Sequence, residues 1–143
     1  MTVATSVDSV SEVFFQAERR WTDVLGRGLL DAEVSSIDGW RVLGALRGGE
    51  GLTMSDISSA MSIPPPSLTR LVDKLVDNGL VLRRVDATDR RRVLIYLSAR
   101  GKTKVRKLIR QEVLLREMLV EELGQEAAAQ FLQALARLGA LPQ

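Results

Sequence analysis

Three consecutive prolines, Pro64, Pro65 and Pro66, interrupt a chain whose apolar residues otherwise recur at helical spacing. Each proline lacks an N–H and pushes its predecessor out of the α region, so Ile63 to Pro66 cannot be helix interior. The run therefore separates two helices by a tight turn. Pro66 suits the first position of the second helix, where an N–H would have no partner anyway. Upstream, Thr53 is placed to cap a short helix through Met61, with Ile57 and Met61 one turn apart. Downstream, Leu68, Leu71, Val72 and Leu75 form a single apolar stripe, and Asn78-Gly79 is a C-terminal stop.

The flanks complete the order. Val10, Phe14, Ala17, Trp21 and Val24 follow a 4-3-4-3 spacing, a helix with a coiled-coil-like seam. A second helix starts near Ser35 or Ser36, buries Ile37, Trp40, Leu43 and Leu46, and stops at Gly48-Gly49. Leu80 to Arg84 and Val93 to Leu97 are rich in β-formers and flank a polar stretch, which predicts a hairpin with Val93, Ile95 and Leu97 on one face. Ser98 caps a long helix to about Leu123 that turns Val105, Leu108, Ile109, Leu115 and Leu119 inward. After Gly124 a last helix presents Ala128, Phe131, Leu132, Leu135 and Leu138 near heptad spacing. The expected fold is mainly α (α+β), in the order α-α-α-α-β-β-α-α. Too little chain remains to cover the seams of the first and last helices. A two-fold dimer through Val10, Phe14, Ala17, Phe131, Leu132, Leu135 and Leu138 is the economical solution.

Charge narrows the function. Residues 83–110 hold eleven Lys or Arg and two acids, a local +9; the rest of the 143 residues carries −7, giving +2 in total. A basic block inside an acidic chain reads as a footprint for a polyanion. There is no cysteine and no histidine. Disulfides, thiolate chemistry, the commonest metal ligand and the commonest general base are thereby removed. No carboxylate cluster, phosphate-binding glycine loop or nucleophile elbow stands out, so we expect no catalytic residue, metal or cofactor. No stretch reaches the roughly 20 apolar residues of a membrane span. Met1 to Asp8 show no secretory signal, and a cytoplasmic location is expected.

Two short helices, a tight turn and an arginine-rich hairpin form a winged helix-turn-helix. Its second helix suits the major groove of duplex DNA, led by its N-terminal residues. Pro65, Ser67, Thr69, Arg70 and Lys74 face outward there. Arg70 has the forked donors to meet a guanine edge, and Ser67 and Thr69 are short enough to meet phosphates or thymine methyls. The alternative is a wet surface on which Arg70 and Lys74 pair with Asp73 and Asp77. At the hairpin tip, Arg90, Arg91 and Arg92 suit a narrow minor groove, with Asp89 orienting one of them. A charged edge that resists aggregation would explain the charge but not its concentration at the turn.

The run from Ser67 to Gly101 resembles the MarR-type transcriptional regulators. Asp89, Arg91, Leu97 and Ser98 meet the family pattern D-x-R-x5-L-T, with serine for threonine. Thr69 through Val81 meet T-R-L-V-D-x-L-x-x-x-G-L-V. The resemblance implies a homodimeric repressor on a palindromic operator, with residues 8–34 and 104–143 for dimerisation and 35–103 as the winged helix. It implies Arg91 in the minor groove with Arg90 beside it. It also implies a small ligand, aromatic, anionic or an acyl-thioester, that relieves repression. The corresponding cleft involves Arg19, Trp21, Trp40, Arg41, Val105 and Ile109; both tryptophans also sit on helical stripes, the ordinary place of core residues. A DNA-binding regulator or architectural protein without an effector is the alternative. Relatives commonly carry a hydroxylated or acidic residue where Pro64 to Pro66 stand here, and losing those donors weakens the expected phosphate contacts at that helix start.

Overall fold

The computed structural model describes residues 9–32, 34 and 36–142; residues 1–8 and Ser35, one of the two candidate helix starts, lie outside it. Helices α1 (Val10–Ala32), α2 (Ile37–Ala45), α3 (Met54–Met61) and α4 (Pro65–Asp77) precede strands β1 (Val81–Val85) and β2 (Val93–Leu97). Helices α5 (Ala99–Leu123) and α6 (Gln125–Gly139) follow. The order is the one expected. The chain divides into two compact units, residues 1–109 and 110–143.

Local chemistry sets the boundaries of the first unit. Ser36 caps α2 by accepting from Gly39 N at 3.0 Å. Thr53 and Asp56 form a reciprocal capping box on α3, each side chain accepting from the other's backbone N–H at 3.1 Å. This satisfies two donors that a helix start otherwise leaves open. The hydrogen bonds also hold the Asp56 carboxyl below the usual carboxylate range, with Thr53 as the main cause. Between α3 and α4 the chain turns at Ser62, a non-glycine residue in the left-handed region with φ 55°. The Ser58 hydroxyl donates to Ile63 O at 2.7 Å and fastens that turn. Helix α4 begins at Pro65, one residue before the expected Pro66. Pro65 and Pro66 occupy its first two positions, where no N–H is required.

The strands pair antiparallel, Val81 opposite Leu97 through Val85 opposite Val93. Leu52 forms an isolated antiparallel bridge to β2, exchanging two backbone hydrogen bonds with Ile95 at 2.7 and 3.1 Å. The core beneath joins Leu29, Trp40, Leu43, Ile57, Leu68, Val72, Leu75, Val81, Ile95, Val105 and Leu108, so one apolar cluster draws on every element of this unit. The inward assignment of Ile109 fails, and the β2 face that carries Val93 is covered only in part. Val93 and Ile109 are 44% and 42% exposed. Alternation and helical period identify a face but not how far the core extends beneath it. The hairpin runs past its supporting helices, so Ile95 and Leu97 are covered and Val93 is not.

In the second unit Leu115 and Ala128 are buried, while Leu119, Leu132 and Leu135 are half-buried. Gly124, with φ 83°, forms the corner between α5 and α6, a conformation that favours glycine. No helix among the described residues is long and apolar enough to cross a membrane.

Candidate nucleic-acid interface

Helix α4 divides cleanly into two faces. Leu68, Val72 and Leu75 are buried, whereas Pro65, Pro66, Ser67, Thr69, Arg70, Asp73 and Lys74 are exposed. The i, i+4, i+7 spacing of the buried set anchors the helix, and every outward residue expected to meet DNA lies on the free side. Thr69 Oγ1 donates to Pro65 O at 3.0 Å, back along the helix. The pairing of Arg70 and Lys74 with Asp73 and Asp77 that the wet-surface alternative expects is not present among the described residues. Among the described residues neither Arg70 nor Lys74 takes part in an ion pair, and Asp73 pairs instead with Arg83.

That Asp73–Arg83 contact ties α4 to β1. Sequence reasoning missed it, because the partners lie ten residues apart across the Asn78-Gly79 turn; the only signal was an acid on the outer face of α4 ahead of a basic strand. The hairpin and the helix are thus linked through their charged surfaces as well as through the core. The base is fixed again at α5. Ser98 Oγ accepts from Gly101 N at 2.9 Å and donates to Gly79 O at 2.5 Å, and Arg100 donates to Asn78 O at 2.9 Å.

At the tip, Asp89 Oδ1 accepts from Arg91 N at 3.1 Å and from Arg91 Nε at 3.4 Å. Asp89 therefore orients Arg91, whose side chain is otherwise 93% exposed. Arg90 and Arg92 are exposed beside it. Asp86 accepts from Thr88 N at 3.0 Å and Thr88 Oγ1 at 2.9 Å and lies 4.0 Å from the Arg92 guanidinium. The two Thr88 hydrogen bonds are the main cause holding the Asp86 carboxyl below the usual carboxylate range, with Arg92 adding a smaller pull. A depressed folded pKa stabilises the turn above the ordinary carboxylate value and loses that contribution as pH falls through the lowered one. The Thr88 amide proton resonance is accordingly expected to titrate with a midpoint below that of an unstructured aspartate. A midpoint at or above the unstructured value would contradict the hydrogen-bonded turn.

The six residues of the expected effector cleft lie in varied settings. Trp40 and Val105 belong to the core, and Trp21 is half-buried. Arg41 donates to Asp38 at 3.2 Å and to Met61 O at 2.7 Å, fastening α2 to the end of α3. Arg19 lies beside Phe15, Glu18, Thr22 and Asp23 in an open groove of about 330 Å³ along α1. Ile109 is exposed.

A short helix, a tight turn, a second helix with a free polar face and a basic antiparallel hairpin together define a winged helix-turn-helix protein. The family described as the MarR family matches residues 39–92, spanning α2 to the hairpin tip. The chain is 33% identical over 87 residues to the HTH-type transcriptional regulator FarR of Neisseria gonorrhoeae, covering 61% of this chain and 49% of that protein. It spans about half the length of the curated relatives it matches. The MepR–DNA complex of S. aureus superposes with a TM-score of 0.79 at 26% identity, covering 93% of this chain and 98% of that one. NadR in complex with 4-hydroxyphenylacetate gives 0.76 at 25% identity, covering 99% and 100%. The chain thus has a winged helix-turn-helix fold and is similar to MarR-type proteins over residues 39–92.

Proposed function

We propose that this protein is a sequence-specific, double-stranded DNA-binding transcriptional regulator that acts as a cytoplasmic homodimer on a palindromic operator. The carrying observation is the arrangement of α4: its apolar face is buried, its cationic face is free, and an ion pair ties it to a hairpin tipped by three exposed arginines. In this reading α4 enters the major groove and supplies base contacts through Arg70, with Ser67 and Lys74 on phosphates. Arg91, supported by Arg90 and Arg92, enters the minor groove.

Dimerisation rests on apolar side chains that the single chain leaves exposed: Val10, Phe14 and Ala17 of α1, and Phe131 and Leu138 of α6, with Leu132 and Leu135 half-covered. A two-fold axis covers such faces and duplicates the reading helix to match a palindrome. A repressor relieved by a small aromatic or anionic ligand is the fuller form of the proposal. It is supported by the ligand-bound state of NadR; the form without an effector remains the alternative reading. Thermal shift against aromatic acids and acyl-thioesters separates the two, since a ligand that binds only the folded state raises its melting temperature.

Arg70→Ala tests the central assignment. We expect it to relax preference at one base pair per half-site, costing about 1–3 kcal/mol on the preferred sequence and much less on random duplex. Competition binding with both DNAs measures this, and equal losses on the two would remove Arg70 from base readout.

A further inference from the structure

Helix α4 begins in a way that removes one kind of DNA contact and favours another. Its cap is Pro64 and its first two residues are Pro65 and Pro66, so among the first three helical positions only Ser67 keeps an N–H. Leu68 N is already bonded to Pro64 O at 2.9 Å. A helix start usually grips a phosphate through several free N–H groups. This one lacks them. The Thr69 hydroxyl proton is taken by Pro65 O at 3.0 Å, so the side chain has no donor left for a phosphate, and its γ-methyl remains on the exposed residue. Pro65, Pro66 and Thr69 are all exposed. Pro65 and Thr69 border a cleft of about 300 Å³ between α3 and α4 whose apolar lining includes Met54 and Leu68.

We propose that Pro65, Pro66 and the Thr69 methyl form an apolar ledge that selects thymine 5-methyl groups in the half-site. The inference rests on the DNA-binding reading and names part of its sequence preference. The ledge adjoins Arg70 and Lys74 on the same helix face, and those cations bring it against the anionic duplex. The thymine methyl is the apolar group that a base pair displays in the major groove. Rigid pyrrolidine rings at the first helical turn meet it with little loss of conformational freedom. The half-site therefore places thymine beside the base pair read by Arg70.

The experiment selects a preferred duplex from a random pool with the full chain and then replaces each thymine in turn by uracil, which deletes only the methyl. We expect one or two positions per half-site to weaken binding about three- to fivefold per methyl removed. The same positions should become insensitive in Pro65→Ser/Pro66→Ser. Thr69→Ser, which keeps the hydroxyl bond and removes the methyl, gives a second readout if the proline variant fails to fold, and it should reduce the sensitivity. If a preferred duplex emerges but uracil costs nothing, or the cost persists in the variants, the ledge is wrong while the DNA-binding reading stands. Failure to enrich any sequence would overturn both.

Discussion

Gly101→Ala is expected to destabilise the fold by about 2–4 kcal/mol, lowering the melting temperature by roughly 6–15 °C. A Cβ at this position would lie 2.0 Å from Leu80 O and 3.3 Å from a Leu97 methyl. The nearer atom is backbone, so no side-chain rotation relieves the clash; the first turn of α5 must move away from Leu80. Movement there also loosens the Ser98 N to Leu80 O bond at 3.0 Å and the Ser98 hydroxyl bond to Gly79 O. Against this stands helix propensity, which favours Ala over Gly by about 1 kcal/mol. The steric effect is the larger. Gly44→Ala supplies the control: a Cβ there meets nothing within 4 Å, so propensity acts alone and a rise of up to about 1 kcal/mol is expected. Thermal melts of the two variants should therefore move in opposite directions. A Gly101→Ala protein as stable as the parent would show that α5 does not approach Leu80 so closely.

The contrast between these two glycines also marks where sequence reasoning ends. Caps, stops and stripes are local, and the residues that set them lie within a turn of one another; Thr53 as a cap, Asn78-Gly79 and the α4 stripe are legible for that reason. Gly101 is not, because the atom that excludes a side chain belongs to Leu80, twenty-one residues earlier and on the far side of the hairpin. Arg83 and Asp73 escape notice as a pair on the same ground. Arg41 falls among the expected effector residues, yet its donors reach Met61 O. Periodicity identifies the faces of β2 and α5 correctly at Ile95, Val105 and Leu108. It overreaches at Ile109, expected inward but exposed, and it does not say that the face of β2 is left uncovered at Val93. The outward residues of α4 fare better because a solvated helix face is the complement of a buried stripe, and the stripe of α4 is unambiguous.

Arg91→Ala is expected to weaken DNA binding by about 30-fold at physiological salt. That magnitude takes roughly 1 kcal/mol for each of two wings, below the usual range for charged hydrogen bonds, because the guanidinium is almost fully solvated before it binds. The plot of log affinity against log salt should flatten by about 0.9 for each phosphate no longer neutralised, hence by about 1.8 for a two-fold complex. Fluorescence anisotropy across a salt series measures both quantities. Asp89 sharpens the test, because charge and geometry predict opposite signs for it. If the wing acted only through net charge, Asp89→Ala would remove a negative group and tighten binding. If Asp89 aligns Arg91 through the bonds to its N and Nε, the same substitution frees that side chain and weakens binding instead. We expect weakening, and we expect Asp89→Ala to have little further effect once Arg91 is alanine, since the side chain it orients is gone. Tighter binding by Asp89→Ala, or additive losses in the double variant, would leave the wing as a diffuse basic patch with no positioned arginine.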